Sequence, residues 1–149
     1  MAEPADPTPG RNDSDPKFVS ALARGLGLLR CFRRNENYLT NQIFAARTGL
    51  PKPTITRLTY TLCKLGYLVQ DTPGGDYRLG AGVMALGYGA LAAMPLRERA
   101  EIELAALCKG DNPNIAAALG ERFGLSMVYL VTHRAPDSVA MAFNLGGQV

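Results

Sequence analysis

Ala45 to Gly66 reads AARTGLPKPTITRLTYTLCKLG, and the order of helix stops and starts in this stretch decides the fold. Gly49 suits the left-handed residue that closes a helix. Only Leu50 separates it from Pro51 and Pro53, and proline fits a first helical turn, where an amide hydrogen has no partner to lose. Beyond that start Ile55, Leu58, Leu62 and Leu65 fall within about a third of the circumference at about 100° per residue. The opposite arc carries Arg57, Tyr60, Thr61 and Lys64. Two helices joined by a tight glycine turn, the second with one apolar stripe and one basic arc, make a helix-turn-helix.

Upstream, Thr40 offers a capping hydroxyl, with Leu39 and Phe44 placed as a hydrophobic staple. Before it, Ser20 offers another cap, and Leu22, Leu26, Leu29 and Phe32 recur at helical spacing, so that stripe is expected to face a core. Downstream of Gly66 the period changes: strands over Tyr67 to Asp71 and Asp76 to Leu79 flank the turn Thr72 to Gly75, a β-hairpin. Helix, helix, turn, helix and hairpin is the order of a winged helix-turn-helix, assigned to residues 17–80. Charge agrees. Residues 17–78 carry ten bases and three acids, a balance of +7 hidden inside a whole-chain charge of +3. Such an imbalance in a compact unit is the electrostatic footprint of a phosphate-rich partner, double-stranded DNA.

The rest of the chain narrows the alternatives. Residues 1–16 hold four prolines and four acids against one arginine, the composition of a disordered arm. An acidic, proline-rich start is not a secretory signal, so a cytoplasmic location is expected. Cys31, Cys63 and Cys108 stand singly inside helical patterns, which reads as buried thiols with neither disulfide nor metal. Leu79 to Leu96 lacks charge, but Gly80, Gly82, Gly87, Gly89 and Pro95 interrupt it, and a membrane span wants about 20 strongly apolar residues. No membrane segment is expected. An enzyme has little support, because His133 is the only histidine and has no acid or nucleophile at a suggestive spacing. Gly25-Leu26-Gly27 lies inside a helical pattern with no strand before it, so it is not a nucleotide loop. No cofactor is expected.

Ala23 to Phe32 (ARGLGLLRCF), Ala45 to Gly66, Tyr67-Leu68 and Tyr77 to Gly80 (YRLG) resemble, in order and spacing, the DNA-binding domain of the IclR-type bacterial transcriptional regulators. The resemblance continues into Leu96 to Val149, which is similar to the opening of that family's GAF-like effector domain, including Leu125 to Leu130 (LSMVYL). Pro53 departs from the pattern, standing where a small hydroxyl residue is expected. The resemblance implies a linker helix over residues 81–95 used for dimerisation, a homodimer on a pseudo-palindromic operator, and a small-molecule effector in full-length relatives. Only a partial effector domain, residues 96–149, is expected here, with an incomplete pocket. The fold class is therefore mainly α with small β. Within the second part, a helix is expected over Leu96 to Lys109. Strands are expected over Ile115 to Leu119, Met127 to Thr132 and Val139 to Phe143, with turns at Gly120 to Gly124 and Ala135 to Ser138.

An α-helix fits the major groove, where a guanidinium can bond guanine in bidentate fashion. Arg57 projects from the polar arc one to two turns into the helix and is assigned to a base. Thr54, Thr56 and Tyr60 flank it as base or phosphate contacts, with a merely solvated role equally open for each. Lys52, Arg47 and Lys64 lie around the turn and along the helix and are assigned to phosphates, which position a protein without specifying sequence. Arg78 beside the hairpin turn reads as structural before it reads as a minor-groove contact. The rival function is a winged helix that docks another protein, without DNA specificity.

Overall fold

The computed structural model describes residues 15–72, 74–109 and 114–135. Their elements in order are α1 (Ser20–Arg30), α2 (Asn41–Thr48), α3 (Lys52–Lys64), β1 (Leu68–Gln70), β2 (Tyr77–Leu79), α4 (Ala81–Ala92), α5 (Pro95–Leu107), β3 (Ala116–Phe123) and β4 (Ser126–Arg134). The chain divides into two compact units, with the boundary between Tyr88 and Gly89 inside α4.

The first unit is a winged helix. The Thr40 side chain accepts from the Ile43 amide at 3.1 Å and caps α2. Gly49, at φ +66°, closes it. Pro51 then caps α3, with a second proline in the first turn. β1 and β2 pair antiparallel, Val69 opposite Arg78. Leu39 exchanges both backbone hydrogen bonds with Tyr77 at 2.9 and 2.8 Å, tying the entry of α2 to the wing. Leu28, Cys31, Leu39, Phe44, Ile55, Leu62, Leu68 and Tyr77 form one core. Within it Phe32 and Phe44 meet edge to face at 5.8 Å.

Two stripes are rotated from expectation. Leu28 is the buried residue of α1, whereas Leu22 and Leu26 are 62% and 46% exposed. The apolar positions of α1 cover about half its circumference, so their period alone leaves open which part is buried. Leu58 of α3 approaches Gly25, where an added Cβ would sit 4.0 Å from Leu58 Cδ2, and Leu28 is packed into the core that α3 shares. The N-cap of α1 is Val19, and Ser20 is already helical. On α3, Thr59 is fully buried and Leu65 is 62% exposed. The Thr59 hydroxyl donates to the Ile55 carbonyl at 3.0 Å, which removes the cost of burying it.

At the start of α4, the Gly80 amide donates to Tyr67 O at 2.8 Å and the Gly82 amide to Gly66 O at 3.0 Å. A Cβ at Gly80 would collide with the Gly66 carbonyl, so this approach requires glycine. No residue of α4 is buried.

In the second unit α5 packs on the hairpin β3–β4. The strands run longer than expected, and the turn is Gly124-Leu125, not Gly120 to Gly124. Gly120 lies inside β3, where the register shifts between Leu119 and Gly120. Strand pairing therefore passes through a glycine that reads as a turn in one dimension. The expected arm over residues 1–16 lies outside the described residues apart from Asp15 and Pro16. The expected third strand, Val139 to Phe143, lies wholly outside them.

Candidate nucleic-acid interface

The interface is built on α3, whose buried stripe of Ile55, Thr59 and Leu62 anchors it and turns the opposite arc to solvent. Arg57, Tyr60 and Lys64 fall within about 60° of one another around the helix axis, and all three are exposed or nearly so. Tyr60 is 64% exposed. The Lys64 ammonium lies 5.4 Å from the centre of the Tyr60 ring, close enough for a cation–π attraction that holds both on one face. Lys52 is exposed at the first turn. No ion pair joins Arg57 or Lys52 to another described residue.

The threonines are less available. The Thr56 hydroxyl donates to Lys52 O at 3.0 Å, so its one hydrogen is used inside the helix and it presents a methyl group and lone pairs. Thr54 is half-buried.

Arg47 departs from the role read for it in the sequence. Its guanidinium bonds both carboxylate oxygens of Glu36, at 2.6 and 2.7 Å, and also donates to the Cys31 carbonyl. The Arg33 amide donates to the same carboxylate at 3.2 Å. The Arg47 hydrogen bond holds the Glu36 carboxyl down at about 2, against an ordinary 4.5. A bidentate arginine–carboxylate fork, with Nη1 also donating to a backbone carbonyl, is a clamp joining α2 to the end of α1 and the loop after it. Arg47 is thus committed to the fold, with its side chain 22% exposed.

The wing is braced from within. The Gln70 amide donates to Gly75 O at 3.0 Å and the Gly75 amide to Thr72 O at 2.9 Å. Arg78 Nη2 lies 3.4 Å from Asp71 Oδ1 across the hairpin, the structural role expected of it. Between α3 and the wing runs a groove of about 500 Å³, walled by Thr56, Tyr60 and Cys63 on one side and Val69 and Gln70 on the other, over Leu68 and Tyr77. That Gln70 and Cys63 line one groove is not visible along the chain, because each is placed there by a neighbour on another element.

In the second unit His133 Nε2 lies 3.1 Å from Glu101 Oε1, an acid partner 32 residues away that spacing along the chain does not reveal. No cluster of three metal-ligating side chains occurs among the described residues. No helix among them is long and apolar enough to cross a membrane.

Residues 21–72 match the IclR helix-turn-helix domain. The chain is 36% identical over 132 residues to the HTH-type transcriptional regulator TsaQ1/TsaQ2 of Comamonas testosteroni, covering 89% of this chain and 46% of that one. It is 29% identical over 154 residues to the Pca regulon regulatory protein of Pseudomonas putida, covering 100% and 52%. A solved IclR family transcriptional regulator from Brucella abortus superposes with a TM-score of 0.80 at 44% identity, over 94% of this chain and 52% of that one. The chain spans about half the length of these relatives.

Proposed function

We propose, because residues 21–72 match the IclR helix-turn-helix domain, that the chain is a sequence-specific DNA-binding transcriptional regulator that reads duplex DNA with α3. The observation that carries this is the solvent-facing arc of α3, where Arg57, Tyr60 and Lys64 stand together on a rigid helix in a unit with a +7 balance. Arg57 reads a base edge in the major groove. Lys52 and Lys64 hold phosphates, Tyr60 lies at the border between the two roles, Thr56 contributes at most apolar contact or acceptance, and Thr54 offers a hydroxyl or its methyl group.

The protein works as a homodimer on a pseudo-palindromic site, since two-fold protein symmetry is matched by two half-sites. A DNA reader of this kind acts in the cytoplasm. The domain boundaries proposed are a winged helix over 17–80, a linker helix over 81–95 and an effector-type segment over 96–149, preceded by an arm over 1–16. Effector sensing belongs to groups converging from several elements, and no residue is assigned to an effector here.

Selection of bound fragments from genomic DNA, followed by titration of the recovered duplex at several salt concentrations, tests the reading. Binding should weaken steeply with salt, as counterions released from phosphates recondense. Enrichment of no common sequence, with a salt-insensitive protein partner instead, would favour a protein-docking winged helix.

A further inference from the structure

At about 100° per residue, Pro53, Arg57, Tyr60 and Lys64 fall within about 60° of one another around α3, on the side away from the buried stripe of Ile55, Thr59 and Leu62. Along this column the chemistry changes. Arg57, Tyr60 and Lys64 can all donate hydrogen bonds. The turn before them cannot, because Pro53 is an exposed hydrocarbon ring without an amide hydrogen. Thr56 beside it has spent its hydroxyl hydrogen on Lys52 O at 3.0 Å. We propose that Pro53 is a specificity-determining residue, packing its ring on the C5-methyl group of a thymine about two base steps from the pair that Arg57 reads. The inference rests on the DNA-binding reading above and adds one base of the site and the residue that selects it.

The first residues of a reading helix are those that meet base edges, and Pro53 is the second residue of α3. It precedes Arg57 by one helical turn, about 6 Å along the axis, against about 3.4 Å between stacked base pairs. Among the four bases only thymine shows a hydrocarbon group in the major groove. The amines of cytosine and adenine, or the acceptors of guanine, would lose water against the ring and gain no partner. Discrimination therefore comes from the bases rejected as well as from the methyl group accepted. A proline side chain has almost no rotamer freedom to lose on burial, so little ordering opposes the contact. The start of the helix does not hang on Pro53 alone. Pro51 stands at the N-cap, and its carbonyl accepts from the Ile55 amide at 3.1 Å, so position 53 can be changed with the cap in place.

The test removes the methyl group and nothing else. In the duplex recovered by selection from genomic DNA, each thymine is replaced in turn by deoxyuridine, which keeps the pairing and the O4 acceptor of thymine. The unaltered full chain should lose affinity by about fourfold at one thymine of each half-site, the worth of one buried methyl group. That thymine should lie within about two base pairs of the position at which Arg57→Ala relaxes preference. Pro53→Ser should bind the thymine and uracil duplexes alike, with its circular dichroism and Tm verifying the fold. Pro53→Ala, which brings no hydroxyl, should do the same, so that the result does not turn on a new serine contact. Uracil tolerated at every thymine overturns the assignment, as does a methyl group that counts as much for both variants as for the unaltered chain, and either result leaves DNA reading by α3 standing. Recovery of no common sequence, or absence of binding to any duplex, overturns the reading beneath it as well.

Discussion

Arg57 and Arg47 are both arginines within ten positions of each other, and their surroundings give them opposite work. Arg57 stands on the solvent arc of α3 without an ion pair among the described residues, whereas Arg47 has its fork filled by Glu36. Arg57→Ala should cost about 1–3 kcal/mol on the selected site and relax preference at one base pair, while Lys64→Ala should weaken all sequences and lower the salt slope by about one. Fluorescence anisotropy on selected and random duplexes separates the two, and equal losses on both duplexes for both variants would refute the assignment. The Arg47–Glu36 clamp has its own signature. A carboxyl held at about 2 in the folded state, against 4.5 ordinarily, adds stability that is fully present above 4.5 and disappears as the pH falls through 2. Glu36→Gln should therefore lower Tm at pH 7, and the gap from the wild type should narrow as the medium is acidified through that window. A gap that stays constant down to the acid limit would mean the ion pair adds no net stability.

At the scale of elements, α1 and α4 both show apolar surface that the monomer does not use. Val19 at the N-cap of α1 and Leu22 and Leu26 within it are 62%, 62% and 46% exposed, and Met84, Leu86 and Tyr88 on α4 are 60%, 62% and 61% exposed. Helix α4, without charge and without a buried residue, is expected to gain stability from a partner, because helix propensity alone is marginal at this length. Ala85, Gly89 and Ala92 recur at spacings of four and three, and a Cβ at Gly89 would meet nothing within 4 Å in the monomer. Gly89→Leu is thus predicted to leave the monomer fold intact while separating the proposed dimer. Sedimentation should show the change in mass, and an unchanged dimer with intact DNA affinity would place the contact elsewhere.

At the scale of the molecule, the described residues of the two units differ in how much they bury. Eight core residues hold the winged helix together. In the second unit the buried described hydrophobics are Cys108, Val131 and Ala135. Fewer buried apolar contacts mean smaller opening free energies, so amide exchange should be faster in α5, β3 and β4 than in α3 and the wing. Equal protection in both units, with one cooperative calorimetric transition, would show that they unfold as one body.

What the amino-acid order determined by itself is local. Gly49 followed by Pro51 marks the turn, Thr40 caps the helix before it, and the change of period after Gly66 marks the wing, because each signal acts over three or four neighbouring residues. The basic arc of α3 was legible for the same reason. What the tertiary structure decided involves partners far apart in sequence. Arg47 finds Glu36 and Cys31, 11 and 16 residues back. Thr59 is buried opposite Tyr77, 18 residues on. Leu22 and Leu26 are left exposed while Leu28 joins the core that α2, α3 and the wing build around it. Periodicity shows that a helix has an apolar arc, but only the neighbours that pack against it choose which part of that arc is covered and which charges remain for a partner.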